Sequence, residues 1–248
     1  MDKIKLKVVI LTNNQPRHYY FIKKMNQSFD ILGLITEPHH DYFNKQQKQS
    51  KLIRHHFNDL KNNEQRYFNT DTGYIKNHRQ IKAKEINKKE NVEWIKSLNP
   101  DYILLYGTGI LNKFWFREFN DRIINLHLGM SPHYRGSATL FWPFYNEELE
   151  YLGITIHLAT EEVDGGDILH VVKPDIESKD NYYDITNKLI KKSINEFSNV
   201  IYEYDNGNKK RIPQDISKQK YLYKKKDFSE EALNKVLNKF RIANAINS

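Results

Sequence analysis

Cysteine is absent from the 248 residues. That excludes disulfides, thiolate metal sites and a cysteine nucleophile, and it fits a reducing compartment. No apolar run is long enough to span a bilayer, and the stretch leading to Thr12 is too short for the core of a secretory leader. The chain therefore reads as soluble and cytoplasmic, without a membrane partner. A dinucleotide fingerprint is also missing. No Gly-x-Gly-x-x-Gly follows the first predicted strand, and Gly107-Thr108-Gly109 lacks a third glycine. Neither NAD nor FAD is expected, no metal site is predicted, and no internal repeat is present.

What is present suits a globular enzyme. Hydrophobic residues make up 39% and aromatics 13%, enough to bury a core, although the mean hydropathy is −0.77. The polar excess is Lys, Asn, Asp and Gln spread along the chain. The net charge of +8 raises the question of nucleic acid. No basic stripe with interleaved aromatics supports that partner, and the dense run Lys224-Lys225-Lys226 is short. A milder use of the charge is to attract an anionic small molecule.

The hydrophobic pattern predicts α/β architecture: a Rossmann-like, mostly parallel sheet flanked by helices, with a small C-terminal strand/helix appendage. Predicted strands are Lys7 to Thr12, Asp30 to Thr36, Tyr102 to Tyr106, Arg122 to Leu126, Leu152 to Leu158 and Asp167 to Val172. Helical spacing is expected within Tyr19 to Met25, Asn91 to Leu98 and Asn181 to Tyr204. Residues 37–90 carry little periodicity and read as helices and loops. A short strand, Tyr221 to Tyr223, precedes a last helix with Ser229 as its cap and Leu233, Val236, Leu237 and Phe240 on one stripe. The domain division expected is 1–205 for catalysis and 206–248 for the extension.

Two clusters carry chemistry. Asn125 and His127 sit two apart at a strand end, so they face the same way, into the crevice where α/β sheets bind ligands. Asp164 lies in the glycine-rich turn Val163-Asp164-Gly165-Gly166-Asp167. A neutral imidazole can take a proton from an attacking amine, an amide N–H can stabilise an oxyanion, and a carboxylate can orient the imidazole. The trio can form an acyl-transfer site, although spacing alone does not prove it and a lone His at a strand end is more often structural.

The wider pattern is Asn125-x-His127, then Ser131-Pro132-x-Tyr134-Arg135-Gly136, then Gly153-x-Thr155-x-His157, then Val163-Asp164-Gly165-Gly166-Asp167-Ile168-Leu169. In that order it resembles the folate-dependent formyltransferases, over Tyr102 to Val172 well and over the opening β-helix-β loosely. The resemblance implies that Asn125, His127 and Asp164 are catalytic and that N10-formyltetrahydrofolate is a co-substrate. It implies a donor site formed by Thr108, Gly109, Ile110 and Leu111 and by the backbone of Thr160, Glu161, Glu162 and Val163.

Met130-Ser131-Pro132 stands where the family usually has Leu-Leu-Pro. Together with Ser137, Thr139, Phe141-Trp142-Pro143 and the tail stretch Lys220 to Lys224, it is similar to the sugar N-formyltransferases. That subgroup implies a nucleotide-linked amino sugar, such as a dTDP-4-amino-4,6-dideoxyhexose, as acceptor, a role in lipopolysaccharide O-antigen assembly, and a homodimer. Candidate cations for the acceptor's pyrophosphate are Lys76, His78, Arg79 and Arg135, although Arg135 can equally hold the turn. Phe141 and Trp142 are expected to pack rather than to form a shelf for a base. Two rival readings are a methionyl-tRNA formyltransferase and a non-catalytic module that binds folate or a nucleotide sugar. About forty residues after the long helix are too few for the RNA-binding barrel of the first rival, and retention of the trio argues against the second.

Overall fold

The computed structural model describes residues 5–38, 50–71, 73 and 75–241. The run KVVILT forms β1 (Lys7–Thr12), whose Val8 to Leu11 are wholly buried. A strand covered on both faces needs apolar residues on both, which is why this one reads as a continuous run. It leads into α1 (Pro16–Ser28), which starts with proline in its first turn, and then β2 (Asp30–Thr36). After α2 (Lys51–Phe68) come β3 (His78–Gln80), α3 (Lys89–Leu98), β4 (Tyr102–Tyr106), α4 (Lys113–Glu118) and β5 (Ile123–His127). The second half holds β6 (Tyr134–Gly136), α5 (Trp142–Tyr145), β7 (Ile154–Leu158), β8 (Ile168–Val172), α6 (Tyr182–Asp205), β9 (Tyr221–Tyr223) and α7 (Glu230–Arg241).

Seven strands form one sheet in the order β3-β2-β1-β4-β5-β7-β8. The five from β3 to β5 are parallel; β7 and β8 are antiparallel to their neighbours. Alternate residues of each central strand serve opposite layers. Val8, Ile10 and Leu104 pack with Phe21 of α1, Ile53 of α2 and Phe197 of α6. Val9, Leu11 and Leu105 pack with Val92 and Ile95 of α3 and Trp115 of α4. The chain runs outward one way from β1 and the other way from β4. The crevice between their carboxyl ends is therefore the topological switch point, where such sheets bind ligands.

β1, β2, β4 and β9 have the predicted bounds, and the other predicted elements are present with shifted ends. In the poorly periodic stretch, α2 is capped by the Ser50 side chain and buries Ile53, His56, Phe57 and Phe68. The predicted appendage folds back onto the rest. β9 pairs in parallel with β6, and Leu233, Val236 and Leu237 of α7 enter the same core as β1 and α6. Ser229 accepts from the backbone N–H of Ala232, as a cap does. Among the described residues, no helix is long and apolar enough to cross a membrane.

Candidate active site

A cavity of about 560 Å³ opens at the carboxyl ends of β4 and β5, beside the start of α1. Asn125, His127 and Asp164 all line it. Antiparallel pairing sets Asn125 opposite His157, so their side chains meet. His157 Nδ1 lies 2.8 Å from the Leu158 carbonyl oxygen, which can only accept; the ring proton therefore sits on Nδ1. Nε2 is left as a lone pair and accepts from Asn125 Nδ2 at 3.0 Å. The amide is thereby oriented and keeps a second N–H for another acceptor. Burial, with the nearby His127 ring adding to it, pushes the His157 pKa down to about 4 against the pull of Asp164, so this imidazole is neutral near pH 7.

His127 Nδ1 stands 3.3 Å from Asp164 Oδ1, and the other imidazole nitrogen has no hydrogen-bond partner among the described residues. Gly129 makes room for that nitrogen, since a Cβ there would lie 2.5 Å from it. Burial alone would raise the Asp164 carboxyl. The charge and hydrogen bond of His127, with His157 and Arg135 behind it, hold it below the usual carboxylate range instead. Asp164 adopts φ of 55°, a left-handed conformation that aspartate tolerates better than most side chains. Just beyond it, a Cβ on Gly166 would collide with the Leu158 carbonyl oxygen, so only glycine fits this turn.

Thr108, Gly109, Ile110, Leu111, Thr160 and Val163 line the cavity as well, with Leu105, Phe116 and Ala159 beside them. Glu161 and Glu162 do not. Arg135 is engaged by protein: it donates to the Val163 carbonyl at 2.5 Å, to Gln219 at 3.1 Å and to Glu162 at 3.3 Å. It braces the turn that carries Asp164. Lys76, His78 and Arg79 stay apart from this cavity. His78 bonds Thr36 at 2.8 Å, Arg79 stacks on Trp94 at 4.0 Å, and Lys76 borders a separate hollow with Lys5 and Lys7. Trp142 packs flat on Tyr223 at 3.9 Å, in keeping with a packing role. Phe141 also packs, on Phe228, but reaches the cavity wall.

The opposite wall was not predicted from sequence. It comprises Arg17, His56, Phe57, Leu60, Tyr182 and Phe228, with Lys225 at its margin. Arg17 is already paired with Glu64 at 2.6 Å, so this wall is largely apolar. His56 bonds the Tyr183 hydroxyl, and burial lowers its pKa to about 4. In the loop after β1 and the first turn of α1, Asn13 Nδ2, Gln15 Oε1 and Arg17 Nε are buried without a hydrogen-bond partner among the described residues. His157, which orients Asn125, did stand in the quoted sequence pattern. Among the described residues, no group of His, Asp and Glu could hold a metal ion.

The model of the formyl transferase family matches residues 6–201. The chain belongs to the formyl transferase family. It is 29% identical over 125 residues to the methionyl-tRNA formyltransferase of Finegoldia magna, covering 50% of this chain and 40% of that protein. It is 35% identical over 148 residues to that of Kosmotoga olearia, covering 58% and 46%. The chain thus spans less than half the length of these curated relatives. Among solved structures, a sugar N-formyltransferase from Shewanella superposes with a TM-score of 0.61 at 17% identity, over 94% of this chain and 88% of that one. A 4-N formyltransferase from Francisella tularensis gives 0.58 at 19% identity, over 94% and 86%. The formyltransferase PseJ from Anoxybacillus kamchatkensis was solved with UDP-4,6-dideoxy-4-formamido-L-AltNAc and tetrahydrofolate. It gives 0.54 at 17% identity, over 93% and 97%. The superpositions establish a shared formyltransferase fold, a mostly parallel Rossmann-like sheet.

Proposed function

We propose that this protein transfers a formyl group from N10-formyltetrahydrofolate to the amino group of a nucleotide-linked amino sugar. A dTDP-4-amino-4,6-dideoxyhexose destined for O-antigen assembly is the acceptor favoured. The observation that carries the reading is the meeting of Asn125, His127 and Asp164 at the switch-point cavity. The neutral amine attacks the formyl carbon and forms the new C–N bond. Asn125, held by His157, donates to the carbonyl oxygen as negative charge develops there. His127 takes the proton released by the amine, and Asp164 stabilises the imidazolium. The bond from the formyl carbon to N10 then breaks, N10 receives a proton, and a formamide and tetrahydrofolate leave.

The two cavity walls suit two substrates. Thr108 to Leu111 with Leu105, Phe116 and Ala159 offer a narrow apolar flank for the flat ring of the donor. The wall of His56, Phe57, Leu60 and Phe228 suits a weakly polar part of the acceptor. Neighbours that align over nine-tenths of this chain include proteins named as a sugar N-formyltransferase and a sugar 3N-formyl transferase, which supports this acceptor. The curated relatives support methionyl-tRNA instead, through partial alignments. Homodimer formation and a cytoplasmic setting are part of the same proposal.

The deciding experiment supplies the folate donor with a panel of dTDP- and UDP-linked amino sugars, glycinamide ribonucleotide and methionyl-tRNA. Mass spectrometry should show a formyl gain on a nucleotide-linked amino sugar. A gain confined to methionyl-tRNA, or none on any acceptor, overturns the reading.

A further inference from the structure

The loop after β4 is gripped from the side away from the cavity by two side chains. Glu37 follows β2 and is buried. One of its carboxylate oxygens accepts from the Gly109 N–H at 3.2 Å, and the other accepts from the backbone N–H of Lys84. Asn87 makes a two-pronged contact: its Nδ2 donates to the Ile110 carbonyl at 2.9 Å, and its Oδ1 accepts from the Asn112 N–H at 2.8 Å. The Ile110 carbonyl and the Asn112 N–H are thus tied to Asn87 in a turn spanning residues 82–88, and the Gly109 N–H is linked to the same turn through Glu37. The turn is itself anchored. Ile86 is buried in the core beneath the sheet, Asn91 Nδ2 holds the Glu85 carbonyl at 2.9 Å, and Lys84 adopts φ of 72° so that its N–H meets Glu37.

Loops on protein surfaces commonly lose order when nothing holds their backbone polar groups. This one projects Ile110 far into solvent, at 70% exposure, and still lines the cavity. We propose that Glu37 and Asn87 are positioning residues that preorganise the segment 108–111 as the donor wall. This rests on the reading that the folate donor binds there. Neither side chain touches the cavity, so each acts through the loop. Ordering the loop beforehand spares the donor the entropy of doing so on binding. Gly109 belongs to the same device: a Cβ on it would press on the Glu37 carboxylate at 3.1 Å.

The test uses the full chain, Asn87→Ala and Asn87→Asp, with 5-formyltetrahydrofolate as a non-reacting probe. In Asn87→Ala, hydrogen exchange at the Asn112 amide should speed up, and the probe's Kd should rise by roughly tenfold for two lost backbone bonds. The donor's KM should follow while the acceptor's KM stays put. Asn87→Asp keeps the acceptor for the Asn112 N–H and loses the donor to Ile110, so its effect should be intermediate. An unchanged exchange rate overturns the proposal, as does an unchanged probe affinity or a parallel rise in both KM values. If the unmutated protein fails to bind the probe, the donor-site reading falls and takes this inference with it. If it binds and Asn87→Ala binds equally, this inference alone falls.

Discussion

Asn125 is held by a neighbour whose protonation is decided by burial. Its amide can serve an oxyanion only while His157 keeps a bare Nε2, and the hydrogen bond from Nδ1 to Leu158 ensures that. Asn125→Ala should leave the circular-dichroism spectrum unchanged and lower formyl transfer by about 100-fold or more, the usual cost of one oxyanion donor. The acid limb of stability follows from the same chemistry. His56 and His157 have folded pKa values near 4, against 6.5 for a freely solvated imidazole. As pH falls below 6.5 the unfolded chain binds protons that the folded protein refuses until about 4, so stability drops across that window. Asp164 acts in the same direction: its folded pKa is depressed, so its contribution is present above the unfolded value and lost as pH falls through the folded one. Thermal midpoints measured from neutral pH down to about 4 should fall steadily, and His157→Gln should flatten part of the slope between 6.5 and 4.

The turn between β7 and β8 leaves little room for change. It must reverse the chain, place Asp164 with positive φ and bring Gly166 against the Leu158 carbonyl. Gly166→Ala should cost about 2 kcal/mol or more in a denaturant melt and displace Asp164, so that turnover falls further than stability explains. Elements like β1 and β4 were legible because complete burial demands unbroken apolar runs. The crossing of α2 was obscured by His55, His56, Asn58 and Lys61, although Ile53, Phe57, Leu60 and Phe68 follow helical spacing. Its boundary was invisible until Ser50 was seen to cap it. β6 was hidden inside a motif read as a turn, because three residues give no period. The trio itself was legible, since Asn125 and His127 obey strand alternation within a recognisable pattern. The opposite wall was not: Arg17, His56 and Phe228 come from three elements far apart in sequence, and only tertiary packing brings them together.

At the scale of the whole molecule, the C-terminal segment closes the core rather than trailing from it. Leu233, Val236 and Leu237 pack on the same cluster as α6, Phe240 sits against Phe144 at 4.9 Å, and Phe228 forms part of the cavity wall. A chain ended at residue 205 should therefore melt well below the full protein and bind acceptor poorly. A truncated chain with an unchanged melting temperature would contradict this packing. The predicted cations Lys76, His78 and Arg79 stand apart from the cavity for a reason of the same scale. They lie on β3 or just before it, at the outer edge of the sheet, and a cluster of charge in sequence says nothing about distance from the switch point.

The two walls of the cavity differ in what they are made of. Beside β4, the braced segment is gripped through the main-chain groups of Gly109, Ile110 and Asn112. Facing it, His56, Phe57, Leu60 and Phe228 present side chains directly. Substitutions at those four positions therefore alter the surface that the cavity presents. On the proposed assignment of the walls, directed evolution of new acceptors should begin at those four positions.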